Sequence, residues 1–147
     1  MAGKVKHIPE GYQAVIPYLI VDGAAKLIDF LKQSFGAVEI ERLPAPGNRV
    51  GHAEVRIGDS VIMMGDAGAE SKPTQASIYV YLENTDEAYK RALAAGATSL
   101  GEPTDQFYGD RNAGVKDEWG NQWWIATHVE DVSPEELKKR AAAKAES

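Results

Sequence analysis

Residues 17–37 read PYLIVDGAAKLIDFLKQSFGA, and residues 77–97 read SIYVYLENTDEAYKRALAAGA. Each is a β-rich apolar run, a polar capping position, an amphipathic stretch and a Gly-Ala pair. Gly36-Ala37 recurs as Gly96-Ala97, 60 positions on, and the hairpin glycine Gly58 recurs as Gly120, 62 positions on. Two copies of one supersecondary unit in a short chain are a fold-level signal. Ala24, Leu27, Ile28, Leu31 and Phe35 recur at helical spacing in the first copy. Ala88, Tyr89, Ala92 and Leu93 give the second copy its apolar face. Asp22 is placed to cap the first helix, and Asn84 or Thr85 the second.

Outward from these stretches, residues 1–13 read as an irregular arm and residues 14–21 as a strand. A strand over 38–43 leads into the loop Pro44-Ala45-Pro46-Gly47-Asn48. Residues 50–57 and 60–64 form a hairpin around Gly58-Asp59. In the second copy a strand near 98–101 precedes a long loop over 102–111. A short strand near 114–116, a turn at Asp117-Glu118-Trp119-Gly120 and a strand over 122–127 complete it. Ser133-Pro134-Glu135-Glu136 is a capping box with proline at the first helical position, and it predicts a C-terminal helix over 133–146. Each copy is therefore strand–helix–strand–strand–strand. The fold class is α+β: tandem βαβββ modules, residues 14–66 and 76–131, forming a curved mixed sheet around a cleft. They make up a single domain over 12–131.

The composition narrows the function. The 147 residues are 44% hydrophobic and 26% charged, as in an ordinary globular domain. A net charge of −6 disfavours nonspecific nucleic-acid binding, which needs cations to replace phosphate counterions. There is no cysteine, so thiolate metal sites and cysteine nucleophiles are excluded. No secretory signal and no apolar run of membrane-spanning length is evident, so the expected location is the cytoplasm, with no membrane or nucleic-acid partner.

Several short motifs occur in a joint order: Pro17-Tyr18-Leu19, Gly23-Ala24-Ala25, Phe35-Gly36-Ala37, His52-Ala53-Glu54, Ile57-Gly58-Asp59-Ser60, Tyr108-Gly109-Asp110-Arg111, and Ala126-Thr127-His128. With the duplicated βαβββ order, they make the chain resemble the vicinal oxygen chelate superfamily, which includes glyoxalase I, extradiol dioxygenases and the fosfomycin and bleomycin resistance proteins. Its PhnB-like branch is the most similar. In the metalloenzymes of that superfamily, His and Glu side chains from both modules hold one divalent metal. The resemblance places the matching positions near Val15 or Pro17, at Ser77, and at Ile62 and Trp124. None of these is a good ligand for a divalent ion. No cofactor and no metal site is therefore expected. The remaining metal alternative is a displaced site built from His52, Glu54 and His128.

The candidate ligand-binding residues are His52, Glu54, Arg56, Tyr79, Tyr81, Trp124 and His128. His52, Glu54 and Arg56 share one strand face, opposite Ala53, Val55 and Ile57. Tyr79 and Tyr81 alternate with an apolar set in the same way, and Trp124 shares a face with Ala126 and His128. Aromatic walls of this kind stack on flat or cationic ligands, and they also serve as core or interface packing. Trp123, on the other face, is expected in the core. Arg111 is expected to pair with Asp117. The balance falls on a protein that binds a small organic molecule, with a lyase or dioxygenase using non-standard metal ligands as the alternative. The resemblance also implies a homodimer.

Overall fold

Both periodicities resolve into the expected order of elements. The computed structural model describes residues 5–146, and the chain divides into two units, Met1–Gln75 and Ala76–Ser147. The expected N-terminal arm includes residues 1–4, which lie outside the described residues. The first unit contains β1 (Tyr18–Val21), α1 (Ala24–Phe35), β2 (Val38–Ala45), β3 (Arg49–Ile57) and β4 (Ser60–Asp66). The second contains β5 (Ser77–Tyr81), α2 (Thr85–Ala94), β6 (Thr98–Asp105), β7 (Asp110–Lys116), β8 (Gln122–His128) and the C-terminal α3 (Pro134–Glu146). Each unit holds one four-stranded mixed sheet, ordered β1-β4-β3-β2 and β5-β8-β7-β6. In each, the first strand runs parallel to the last and the other pairs are antiparallel.

Helix α1 buries the five apolar residues that its spacing marks, and Gly36 ends it in the left-handed conformation at φ 68°. Helix α2 buries Ala88, Tyr89 and Ala92, but Leu93 stays 36% exposed. Leu93 sits one position past Ala92, about 100° around the helix, and so leaves the buried stripe. Asn84 caps α2 by accepting the Glu87 N–H at 3.0 Å. The cap of α1 differs from expectation. Gly23 holds the N-cap position, and Asp66 at the end of β4 accepts the N–H groups of Gly23 and Ala24 at 2.8 and 2.9 Å. Thr127 does the same work in the second unit, accepting the Thr85 N–H at 3.1 Å.

The sheets also extend into segments that read as loops. Strand β2 runs on through Pro44, and β6 and β7 occupy most of the loop expected over 102–111. Pro44 and Pro103 both lie on edge strands at register shifts, where a missing N–H costs no ladder bond. Conversely, β1 begins only at Tyr18, and Val15 before it is 83% exposed. Gln13 fills the ladder there, donating to the Val61 carbonyl at 2.7 Å and accepting the Val61 N–H at 3.1 Å.

Asp117 does not pair with Arg111. It organises the turn before β8, accepting from the Trp119 and Asn121 N–H groups and from the indole N–H of Trp123 at 2.9 Å. Trp123 is fully buried, as its strand face predicts. Arg111 binds Asp86 and Asp105 instead.

Candidate functional site

The face of each sheet opposite its helix carries the polar side chains. In the first unit, Ala53, Val55 and Ile57 are buried with Leu19 and Val21. Tyr18, His52, Glu54 and Arg56 therefore occupy the other face. Glu54 is only 6% exposed and is held on both oxygens. His52 Nε2 lies 2.8 Å from Oε2, and the Tyr12 hydroxyl donates to Oε1. Burial raises the Glu54 pKa, but the His52 and Tyr12 hydrogen bonds outweigh it and hold the carboxyl below the usual range. His52 Nδ1 meets the Tyr18 hydroxyl at 3.0 Å, and the two rings tilt at 35° with centroids 5.6 Å apart. Arg56 donates to the Gly11 carbonyl at 3.1 Å. Tyr18 reaches His52 by crossing β4 at Gly65. A Cβ at Gly65 would lie 3.3 Å from the Tyr18 hydroxyl and 2.8 Å from the Gly51 carbonyl oxygen, so only glycine leaves this passage open.

In the second unit the centre is Asp110, 4% exposed at the start of β7. Tyr79 and Tyr81 both donate to its Oδ2, at 2.6 and 2.8 Å, and His128 Nδ1 lies 2.9 Å from Oδ1. Burial raises the Asp110 pKa, and these three hydrogen bonds more than reverse it. Burial and the Asp110 carboxylate raise the Tyr79 phenol pKa. Hydrogen bonding to Asp110 and then burial raise that of Tyr81. His128 Nε2 also sits 2.7 Å from Asp131, and hydrogen bonds to the two carboxylates lift the imidazole pKa. Asn112 donates to the Tyr108 hydroxyl at 2.7 Å and to the Tyr79 hydroxyl at 3.3 Å, and accepts from Gln106 at 3.1 Å. The two tyrosine rings meet edge to face at 73°, with 5.3 Å between centroids, and remain 44% and 58% exposed. Trp124 lies flat over Gly114, where a Cβ would collide with its ring.

The structure thus brings His52 and Glu54 together in one unit, and Tyr79, Tyr81 and His128 together in the other. Arg56 turns to the Gly11 carbonyl, and Trp124 covers Gly114 of its own sheet. The organising residues Tyr12, Tyr18, Asp110 and Asn112 are absent from the set read from the sequence. Their signal is faint: Asp110 and Asn112 alternate with a buried Ala113, but only once β7 is known to begin at Asp110.

The positions that the resemblance marks for metal also scatter. Val15 precedes the first sheet, and Ser77 is exposed on β5. Ile62 pairs with Val55 and is buried against the helix side, whereas Trp124 pairs with Gly114 on the opposite face. Equal counting from Gly58 and Gly120 fails because the second turn is longer. The strand counterpart of Trp124 is Met63, which pairs with Glu54 as Trp124 pairs with Gly114. Both imidazoles of the displaced alternative already face carboxylates. Among the described residues, no three His, Asp or Glu side chains converge as a metal requires.

Comparison with known proteins agrees with this architecture. The family model described as "Glyoxalase/Bleomycin resistance protein/Dioxygenase superfamily" matches residues 6–125. A protein of Mycobacterium tuberculosis strain H37Rv is 35% identical over 136 residues, covering 85% of this chain and 80% of its own length. A protein of Mycobacterium bovis is likewise 35% identical, covering 85% and 90%. Among solved structures, TioX from Micromonospora sp. ML1 superposes with a TM-score of 0.62 at 24% identity, covering 79% of this chain and 100% of its own. A family enzyme from Burkholderia phytofirmans PsJN gives 0.64 at 21%, covering 76% and 95%. A PhnB protein from Bacillus cereus, described as a putative 3-demethylubiquinone-9 3-methyltransferase, gives 0.60 at 17%, covering 78% and 99%. At these identities the structures share the fold. No helix among the described residues is long and apolar enough to cross a membrane.

Proposed function

Since the chain belongs to the glyoxalase/bleomycin resistance protein/dioxygenase superfamily, we propose that it binds a small organic molecule on the aromatic platform of its second unit, without a resident metal. The observation that carries this reading is the pair Tyr79 and Tyr81. Their hydroxyls are tied down by Asp110, so their rings are held in one orientation while staying exposed. A rigid aromatic surface loses little freedom on binding, which favours affinity. A buried carboxylate behind the rings adds negative potential, so a flat ligand with cationic character suits the platform best. Trp124 and His128 complete it from β8, while His52, Glu54 and Arg56 form a separate polar face within the first unit. The donor chemistry supports the metal-free form, since the imidazole nitrogens point at carboxylates or a phenol rather than at a common centre. The exposed Val38, Ile40 and Leu43 of edge strand β2 support assembly as a homodimer.

The test is a thermal-shift screen of flat aromatic amines and neutral aromatics, with and without divalent metals. A ligand at 100 times its Kd stabilises the fold by about 2.7 kcal/mol. The expected result is a metal-independent shift in the wild type that disappears in Tyr79→Ala and Trp124→Ala. A shift that needs metal, with about one metal per chain by elemental analysis, would overturn the reading in favour of a metalloenzyme. Light scattering at micromolar concentration checks the dimer.

A further inference from the structure

We propose that Tyr18, His52 and Glu54 form a proton relay in which the Tyr18 hydroxyl takes a proton from, or returns it to, an organic molecule bearing a weakly acidic C–H or O–H. This goes beyond the binding reading and does not rest on it, because the three residues belong to the first unit.

The argument starts at Glu54. An ionised carboxylate only accepts hydrogen bonds, so the His52 nitrogen facing it, Nε2, carries the proton. A neutral imidazole then presents a lone pair at Nδ1, and the group facing Nδ1 at 3.0 Å is the Tyr18 hydroxyl. Tyr18 therefore donates its proton inward to His52. Its oxygen keeps lone pairs free to accept, and the residue stays 45% accessible. Nucleophile, base and orienting carboxylate stand in the order that activates a hydroxyl. Tyr12 holds the second Glu54 oxygen, so the carboxylate cannot swing away. Across the strands, Glu41 lies opposite Glu54, Leu43 opposite His52 and Met63 beside Tyr18, while the nearby Arg56 is engaged with Gly11.

The step balances as follows. The substrate X–H bond breaks and its proton bonds to Tyr18 Oη as the original phenolic proton moves to His52 Nδ1. The electron pair stays on X as an anion. The imidazolium formed is paired with Glu54, and the reverse sequence returns the proton. Glu54 and His52 act through Tyr18 and are positioning residues.

The second unit provides an internal control. Its counterpart of Tyr18 is Tyr79, paired with Trp124 as Tyr18 is with Met63. The counterparts of His52 and Glu54 are Asn112 and Gly114, which cannot relay a proton.

An aryl sulfonyl fluoride tests the proposal without knowledge of the substrate. Tyr18 Oη attacks sulfur, the O–S bond forms, the S–F bond breaks, fluoride leaves and the phenolic proton goes to His52. Peptide mapping by mass spectrometry should show Tyr18 modified about 100-fold faster than Tyr81, with most of that advantage lost in His52→Gln. Tyr18→Phe should remove the label and leave the circular dichroism spectrum unchanged. In the unmodified protein, nitrogen-15 NMR should show His52 protonated at Nε2 and bare at Nδ1, and Glu54→Gln should mix the two tautomers. Equal labelling of Tyr18 and Tyr81, an unchanged rate in His52→Gln, or the opposite tautomer in the wild type would each overturn it.

Discussion

Tyr18 in the first unit and Tyr79 in the second occupy the same place in the repeat, yet their hydroxyls have opposite surroundings. Each lies on the strand parallel to the last strand of its unit, and each crosses that strand over a small residue, Gly65 or Ala126, to reach the third. Tyr18 ends on an imidazole backed by a buried carboxylate. Tyr79 ends on a carboxylate that accepts its hydrogen and an amide that donates to its oxygen. One backbone device thus serves two chemistries. A phenol facing a neutral base can pass its proton on, and a phenol facing a carboxylate is held neutral as a rigid ring. Duplication supplied the geometry, and the residue types two strands away decide its use.

The sharpest way to break this contrast is Asp110→Ala. It removes the acceptor from two phenols and an imidazole at once, and we expect a loss of about 2–3 kcal/mol in urea unfolding. A midpoint equal to that of the wild type would mean that Asp110 does not organise the second unit. Gly65→Ala comes next. The added methyl meets the Gly51 carbonyl oxygen at 2.8 Å, backbone that has little room to yield. We expect about 2 kcal/mol of destabilisation, together with loss of the Tyr18–His52 contact in the NMR spectrum. Ala126→Gly, its counterpart, should cost about 1 kcal/mol through chain entropy and leave the Tyr79 contact in place.

A smaller effect separates the units by pH. The His128 pKa is raised in the folded state, so its stabilising contribution is complete below about pH 6.5 and disappears as pH rises through the raised value. Asp110 behaves oppositely: its pKa is lowered, and its contribution holds above about pH 3.9 and is lost as pH falls through the lowered value. The Tm of His128→Gln should therefore lie below that of the wild type at pH 5.5, and the gap should narrow above pH 7. A constant gap would mean that the Asp110 and Asp131 contacts do not discriminate the charged imidazole. The smallest effect is that of Tyr18→Phe on stability, about 0.5 kcal/mol for one solvent-reachable hydrogen bond. A much larger loss would make Tyr18 a structural residue.

The repeat was legible because helix and strand periods are local. Leu27, Ile28 and Leu31 mark a helix whatever surrounds them, and Gly36 ends it. The tails of β2 and β6 were not legible, because Pro44 and Pro103 look like loop residues until the strand is known to be an edge. The pair His52 and Glu54 showed in the sequence because alternate residues share a strand face. Tyr18 and Asp110 did not, since their partners lie on other strands and depend on register. The one-residue difference between the turns at Gly58 and Gly120 also hid the pairing of Met63 with Trp124 as counterparts. The cap of α1 hides for the same reason: Gly23 takes the N-cap position, and Asp66, far away in sequence, accepts the first N–H groups.

The acceptors for the first N–H groups of the two helices come late in the chain. Asp66 follows Ala24 by 42 positions, and Thr127 follows Thr85 by the same interval. A nascent polypeptide therefore exposes each helix with its first N–H unsealed until the closing strand of the same unit has been made, although Asn84 already holds the Glu87 N–H of α2. Sealing the first turn of each helix is thus tied to the strand that closes its own sheet, within the same half of the sequence.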